Sequence, residues 1–172
     1  MNSAIISIGN EILLGKTLNT NLQYLATQMA GLGLAVDYAV TIKDELSVIR
    51  ATLDYCWSRY DIVISTGGLG PTADDITKDA IVSFFGGDLV FREEIWQEVT
   101  DRFKARGLDV PRINRNQALV PTGFVALNNA QGTAPGLFYS DGSRSFFALP
   151  GVPLEMEHLF ERRLRGLLKE RY

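Results

Sequence analysis

A glycine-rich segment in the middle of the chain carries the strongest chemical signal. It reads Thr66-Gly67-Gly68-Leu69-Gly70-Pro71-Thr72-Ala73-Asp74-Asp75-Ile76-Thr77. Three glycines let backbone amides come close to a phosphate, because no Cβ stands in the way and positive φ angles are open to them. Threonine hydroxyls add further donors. The segment therefore predicts a phosphate-binding loop that uses Thr66, Gly67, Gly68, Gly70, Thr72 and Thr77.

Two adjacent carboxylates, Asp74 and Asp75, close this segment, where we predict the start of a helix over residues 74–85. Facing a bound polyphosphate, the two groups would repel it unless a cation lay between them, so they imply a hard divalent ion such as Mg²⁺. The alternative is that Asp74 caps the helix and Asp75 complements its dipole, and a cap contributes only about 1 kcal/mol. The neighbouring glycines favour the metal-binding interpretation.

The same letters also fit a dinucleotide-binding fingerprint, Gly68-x-Gly70-x-x-Ala73. We reject that interpretation because Pro71 follows the second glycine and the preceding strand is the third of the chain. No acidic residue is evident at the end of the next strand either.

A second candidate loop covers residues 9–16 and follows the first apolar strand. Its Glu11 is either a metal or hydroxyl ligand or an ordinary solvated glutamate. Lys16 is a candidate for meeting phosphate as a point charge, although a lone loop lysine is usually solvated. Asp44 ends the next strand on the same edge, and taken alone it is more typical of an N-cap for the following helix.

Two weaker candidates lie further along the chain. The segment Gly132-Thr133-Ala134-Pro135-Gly136 fits a backbone anion nest and a plain surface turn equally well. Lys78, Arg112 and Arg115 could neutralise ligand charge, but a solvated face is favoured for each of them.

Alternating elements surround these loops, which indicates an α/β fold. Hydrophobic periodicity predicts strands over residues 5–8, 34–42 and 61–65 and a hairpin over 138–149 with Asp141-Gly142 at its turn. It predicts helices that begin near Asn19, near Glu45, at Asp74, near Glu93 and at Pro153. We expect a short helix and a loop over residues 111–123.

Three junctions share the order apolar strand, glycine-bearing loop and helix start, at residues 8–21, 64–75 and 149–155. In open α/β sheets such junctions meet at one edge, where helix N-termini and free amides attract anions. Pro150 and Gly151 lie in the third junction. The three segments together predict one site for a phosphate-bearing ligand.

Composition narrows the chemistry further. The chain has 172 residues with 17 Lys plus Arg against 20 Asp plus Glu, a net charge of −3, which suits a single domain over residues 1–172 and argues against nucleic-acid binding. No apolar run is long enough to span a membrane and no signal peptide is recognisable, so we expect a cytoplasmic protein. Cys56 and His158 are the only cysteine and histidine, which leaves carboxylates, backbone amides and a hard metal as working groups.

Five motifs in order resemble the amino-terminal domain of the CinA competence/damage-inducible proteins. They are Gly9-Asn10-Glu11-Ile12-Leu13-x-Gly15 with Asn19-Thr20-Asn21, the glycine-rich segment through Lys78, Asn114-Arg115-x-Gln117-Ala118, Gly132-Thr133-Ala134-Pro135-Gly136, and Leu149-Pro150-Gly151-x-Pro153-x-Glu155-Met156. That domain belongs to the molybdopterin-binding superfamily of MogA and MoaB. The resemblance implies a three-layer α/β/α sandwich with a mostly parallel central sheet, to which the hairpin is added.

The resemblance also implies an activity, which is hydrolysis of the ADP-ribose pyrophosphate bond to AMP and ribose 5-phosphate with Mg, Mn or Co. By motif, Asp75 and Asp44 match acids that bind metal or act in catalysis in related adenylyltransferases, and Glu11 matches the family's first-loop acid. Relatives form dimers or trimers, so a homo-oligomer is expected. The ligand-binding candidates outside the glycine-rich segment are Gly9, Asn10, Lys16, Asn19, Gly132, Thr133, Pro150 and Gly151.

This sequence departs from the family at two places, in the loop over residues 9–16 and at the end of the following strand. The family more often has Thr where Asn10 stands, and Gly-Asp where Lys43-Asp44 stands. Full CinA proteins also carry a second, amidase-like domain, and because this sequence stops before it, we expect either a stand-alone relative or an excised domain. Two other functions stay open, namely a non-catalytic module that binds molybdopterin or a nucleotide, and molybdopterin adenylyl transfer.

Overall fold

A six-stranded sheet forms the centre of the protein, whose computed structural model describes residues 1–172. The strands are β1 (Ser3–Ile8), β2 (Val36–Ile42), β3 (Ile62–Thr66), β6 (Val125–Leu127), β7 (Gly136–Ser140) and β8 (Ser145–Leu149). Their order across the sheet is β2-β1-β3-β8-β7-β6. Strands β2, β1, β3 and β8 run parallel, while β7 pairs antiparallel with β8 and β6. The predicted α/β fold with a mostly parallel sheet and a hairpin is confirmed.

Helices cover both faces of the sheet and give the three layers. They are α1 (Asn10–Leu13), α2 (Thr20–Gly31), α3 (Leu46–Trp57), α4 (Thr77–Phe85), α5 (Glu93–Ala105), the 3-10 helix Arg112–Ala118, α6 (Pro153–Leu159) and α7 (Arg165–Arg171), with a π-helical turn at Phe160–Leu164. None of them is both long and apolar enough to span a lipid bilayer. A small antiparallel pair, β4 (Leu89–Phe91) with β5 (Leu119–Pro121), lies beside the main sheet.

The central strands alternate their side chains between two cores. Ile6 of β1 and Val63 of β3 belong to the core that includes Cys56 of α3, whereas Ile5 points to the other core, which includes Leu25 of α2. Because successive residues of a strand face opposite sides, a strand buried on both faces is apolar throughout. Cys56 is fully buried, as expected for a core residue.

Four local expectations differ from the structure. The helix expected over residues 74–85 begins only at Thr77, so Asp74 and Asp75 lie in the preceding loop and neither caps α4. A short helix, α1, occupies the predicted first loop, and residues 111–123 contain the strand β5 in addition to a helix. Asp44 does not cap α3, whose N-cap position is Glu45.

Candidate functional site

A cleft of about 940 Å³ lies at the carboxyl ends of β1, β3 and β8. The three predicted strand-loop-helix junctions all contribute to it, as the parallel topology requires. The predicted site residues that line it are Gly9, Asn10, Glu11, Lys16, Asp44, Gly67, Gly68, Gly70, Asp74, Asp75, Thr133, Pro150 and Gly151.

The start of the glycine-rich loop is fixed by contacts that only glycine allows. Gly67 has a φ of 111°, and a Cβ added there would overlap the carbonyl oxygen of Ile8 at the end of β1. Its amide donates to the carbonyl of Leu149 at 3.0 Å, which ties it to the end of β8. Thr77 Oγ1 donates to the carbonyl of Gly67 at 2.9 Å. Gly67 therefore joins the ends of β1, β3 and β8 to the first residue of α4.

Asp75 holds the second half of the loop closed. Its Oδ1 accepts from the amide of Gly70 at 2.9 Å, and its Oδ2 accepts from the amide and the hydroxyl of Thr72. A carboxylate that accepts several such bonds is a strong structural group, because charged acceptors form the stronger hydrogen bonds. Asp75 thus shapes the loop and lines the cleft at the same time.

Several amides of the same loop have no acceptor within the protein. The amides of Gly68 and Leu69 make no hydrogen bond within the protein. The amides of Gly70 and Thr72, in contrast, donate to Asp75. Backbone donors without partners at the end of a strand are well suited to an anion such as phosphate.

The loop over residues 9–16 and the end of β2 supply further charged groups to the cleft. Asp44 Oδ2 accepts from the amide of Asn10 at 2.8 Å, so the carboxylate ties the end of β2 to the start of α1. Glu11 and Lys16 are exposed at the rim, and the Glu11 carboxylate folds back over Gly9, where a Cβ would overlap it.

The loop that contains Pro150 and Gly151 is held to the glycine-rich loop by hydrogen bonds between buried polar groups. Thr66 Oγ1 donates to the carbonyl of Pro150 at 2.9 Å. Asn21 Nδ2 donates both to Thr66 Oγ1 and to the carbonyl of Gly151, each at 2.9 Å. These bonds hold the ends of β3 and β8 beside α2 and so fix the position of the cleft residues that follow these strands.

Some predicted binding residues have structural roles behind the cleft instead. Asn19 Oδ1 caps α2 by accepting from the amide of Leu22, which confirms it as an N-cap, and it does not line the cleft. Gly132 lines two neighbouring cavities, and its carbonyl accepts from Arg102. The residues whose side chains stabilise the loops without lining the cleft are Thr66, Thr72 and Thr77.

The cleft residues that were absent from the predicted site include Gln117 and Glu155. Both belong to motifs on which the family resemblance rests, and those motifs were the signal that could have identified them. Glu155 is partly buried and accepts from Asn129 Nδ2 at 2.7 Å. Burial raises the pKa of Glu155 above its ordinary value, while the Asn129 amide and the Arg102 guanidinium act to lower it.

Lys78 is buried, not on the solvated face that the sequence favoured for it. It is 6% exposed, and its ammonium donates to the carbonyls of Asn116 at 2.8 Å and Gln117 at 3.4 Å. Burial lowers the pKa of Lys78 to about 8, although the carboxylates of Asp75 and Asp79 act to raise it. Lys78 thus links α4 to the 3-10 helix Arg112–Ala118.

We expect Lys78→Met to remove part of the pH dependence of stability. The unfolded chain keeps a lysine pKa near 10.5 while the folded protein has about 8, so between these values the unfolded chain binds the extra proton and rising pH stabilises the folded state. This contribution is complete above about pH 10.5 and is lost as the pH falls through about 8. Its slope is about 1.4 kcal/mol per pH unit at most.

Urea unfolding of both proteins across that pH range measures the difference in slope. Lys169→Met, at an exposed lysine of α7, is the matched control and should keep the slope of the unaltered protein. Equal slopes for the unaltered protein and Lys78→Met would contradict a buried amine with a lowered pKa.

Most of the charged side chains that line the cleft are acidic. Its lining includes one basic side chain, Lys16, and the carboxylates of Glu11, Asp44, Asp74, Asp75 and Glu155. No three of these groups lie close enough together to form a metal cage. Mg²⁺ is commonly held by one or two carboxylates together with substrate phosphates. The residues therefore fit a hard divalent ion that is shared with a phosphate ligand.

Known proteins resemble this chain over nearly all its length. Residues 4–170 match the family described as the probable molybdopterin binding domain. A competence-damage inducible protein of Caldicellulosiruptor saccharolyticus is 43% identical over 94% of this chain and 39% of its own length. A CinA-like protein of Kosmotoga olearia is 42% identical over the same shares. The chain spans about two fifths of the length of these curated relatives.

Solved structures agree with the sequence relatives. CinA of Thermoplasma acidophilum is 33% identical and superposes with a TM-score of 0.87 over 96% of this chain and 97% of its own. The molybdopterin biosynthesis enzyme MoaB of Thermus thermophilus is 18% identical with a TM-score of 0.64, over 96% of this chain and 91% of its own, and shares the fold. The chain therefore belongs to the probable molybdopterin binding domain family and, within it, to the CinA-like proteins.

Proposed function

We propose that the domain hydrolyses the pyrophosphate bond of ADP-ribose to AMP and ribose 5-phosphate with the help of a divalent metal ion. The observation that carries the proposal is the combination in one cleft of unpaired loop amides and five carboxylates. The amides favour the binding of a phosphate, whereas the carboxylates repel it. The combination therefore suits a phosphate that binds together with a cation. The cleft volume of about 940 Å³ is within the range of small-molecule sites.

Each wall of the cleft has its own part in this chemistry. The amides of Gly68 and Leu69 and the ammonium of Lys16 would hold phosphate oxygens. Asp74 and Asp75 would hold the metal ion, which supplies charge neutralisation and a more acidic bound water when present. Asp44 or Glu11, both of which line the cleft, would accept the proton of the attacking water.

The direct test is to incubate the purified protein with ADP-ribose and Mg²⁺, Mn²⁺ or Co²⁺ in turn. We expect AMP and ribose 5-phosphate in equal amounts with at least one metal, and neither product after chelation with EDTA. Chromatography of the nucleotides measures the release of AMP. Absence of AMP with all three metals, under conditions where ADP-ribose binds, would exclude the hydrolysis.

The fold shared with MoaB, a molybdopterin biosynthesis enzyme, favours two further candidates. A binding module would take up molybdopterin or an adenine nucleotide saturably in calorimetry without turnover. Molybdopterin adenylyl transfer would consume ATP in the presence of the pterin. The loop of residues 9–16, whose Glu11 belongs to a motif that carries part of the CinA resemblance, weighs toward hydrolysis.

A further inference from the structure

One side chain in the cleft has an unsatisfied polar end that the proposed chemistry does not use. Gln117 is 1% exposed, lines the cleft and belongs to the 3-10 helix Arg112–Ala118. Its Oε1 is buried and has no hydrogen-bond partner. A buried polar atom without a partner costs about 1 to 3 kcal/mol, and most such atoms in native proteins are satisfied. Gln117 is therefore a cleft residue whose amide oxygen lacks a partner within the protein.

The main chain around Gln117 is held against the glycine-rich loop. Lys78 donates to the carbonyl of Gln117 and to that of Asn116, and Lys78 lies in the first turn of α4, just after the loop. Asn116 Nδ2 in turn donates to the carbonyl of Pro71 within the loop, at 3.3 Å. The backbone of Gln117 is thus held beside the loop whose free amides suit a phosphate.

We propose that Gln117 recognises a hydroxyl of the sugar attached to the bound phosphate, and so selects a ribose-bearing ligand over inorganic pyrophosphate. The inference rests on the proposed binding of phosphate by the glycine-rich loop. An ionised phosphate offers acceptors and no donor, so it cannot satisfy Oε1. The sugar is the next group along a nucleotide, and a hydroxyl both donates and accepts, which lets it pair with either end of an amide.

The test compares binding of AMP with binding of its dideoxy analogue, which lacks both ribose hydroxyls, by calorimetry in the presence of Mg²⁺. The unaltered protein should bind AMP about tenfold more tightly, the effect of roughly one satisfied hydrogen bond. Gln117→Met should lose that preference and bind pyrophosphate as before. Its melting temperature should be equal or higher, because the change removes an unpaired buried atom. Gln97→Met, at an exposed residue of α5, is the matched control.

Three results would overturn the inference: a full preference for AMP in Gln117→Met, no preference in the unaltered protein, or no binding of AMP by the unaltered protein. The comparison with the dideoxy analogue needs no variant, so it holds even if Gln117→Met does not fold. Hydrolysis is judged separately by the release of AMP from ADP-ribose. A preference that depends on Gln117 without any product would retain this inference and exclude the hydrolysis.

Discussion

Replacing Asp75 with alanine should lower the rate of ADP-ribose hydrolysis by at least about a hundredfold, the size of effect seen when one preorganised charge-stabilising group is removed. The carboxylate lines the cleft, and it also orders the loop by accepting from Gly70 and from both donors of Thr72. Alanine removes both functions. We also expect a loss of roughly 2 kcal/mol in unfolding free energy, more than the loss of a simple helix cap would cause.

The metal-binding part of this effect can be separated from the loop-ordering part. Thr72→Val removes only the hydroxyl that donates to Asp75, so its rate should fall no more than severalfold. In Asp75→Asn, one oxygen still accepts from Gly70 while the charge is lost. If Asp75 holds the metal, Asp75→Asn needs a higher Mn²⁺ concentration for half-maximal rate, and Thr72→Val does not.

Initial rates against Mn²⁺ concentration, with urea unfolding of each variant, supply both readouts. A full rate in Asp75→Ala would contradict both roles of the carboxylate. An unchanged Mn²⁺ requirement in Asp75→Asn would leave Asp75 as a residue that orders the loop, and the metal role would then be wrong.

The central sheet is the part of the fold that the sequence predicts best, and the reason is physical. Strands β1, β3 and β8 are buried on both faces, so each is a short apolar run bounded by polar turns. The parallel order then brings all three strand ends to one edge. The position of the cleft therefore follows from the burial of these strands and from their parallel order, without any side-chain detail.

Local detail at the loops could not be predicted in the same way. An aspartate at a helix start can cap the helix or bond back to amides of the preceding loop, because both options satisfy the same carboxylate. Asp75 takes the second option, and α4 begins two residues later at Thr77. The short strand pair β4 and β5 was missed because three-residue strands have too few positions to show alternation.

The buried members of the site depend on contacts that are distant in sequence. Lys78 reaches carbonyls 38 and 39 residues away, and nothing near it in the chain distinguishes it from a solvated lysine. Gln117 is likewise buried, although its neighbours in the sequence do not indicate this. Lysine and glutamine are mostly exposed in proteins, so residue type alone predicted exposure, and only the family motifs marked these positions.

Gly67→Ala should cost about 3 kcal/mol or more of unfolding free energy, a large share of the stability of a typical domain. The backbone there has a φ of 111°, which is strained for any residue with a Cβ. The added Cβ would also overlap the carbonyl oxygen of Ile8. That carbonyl ends a central strand, and the amide of Gly67 is bonded to Leu149 on the other side, so neither neighbour can move without loss.

Gly15→Ala separates the two causes, because Gly15 has a φ of 68° and a Cβ there would meet nothing within 4 Å. It should lose only the left-handed backbone preference, about 1 kcal/mol, and the remaining difference in urea unfolding measures the overlap with Ile8. Equal losses would contradict the tight contact between the loop and β1. Because the free amides of Gly68 and Leu69 follow Gly67 directly, a displaced Gly67 also displaces the proposed phosphate donors. Binding of AMP should therefore fall in Gly67→Ala and be retained in Gly15→Ala.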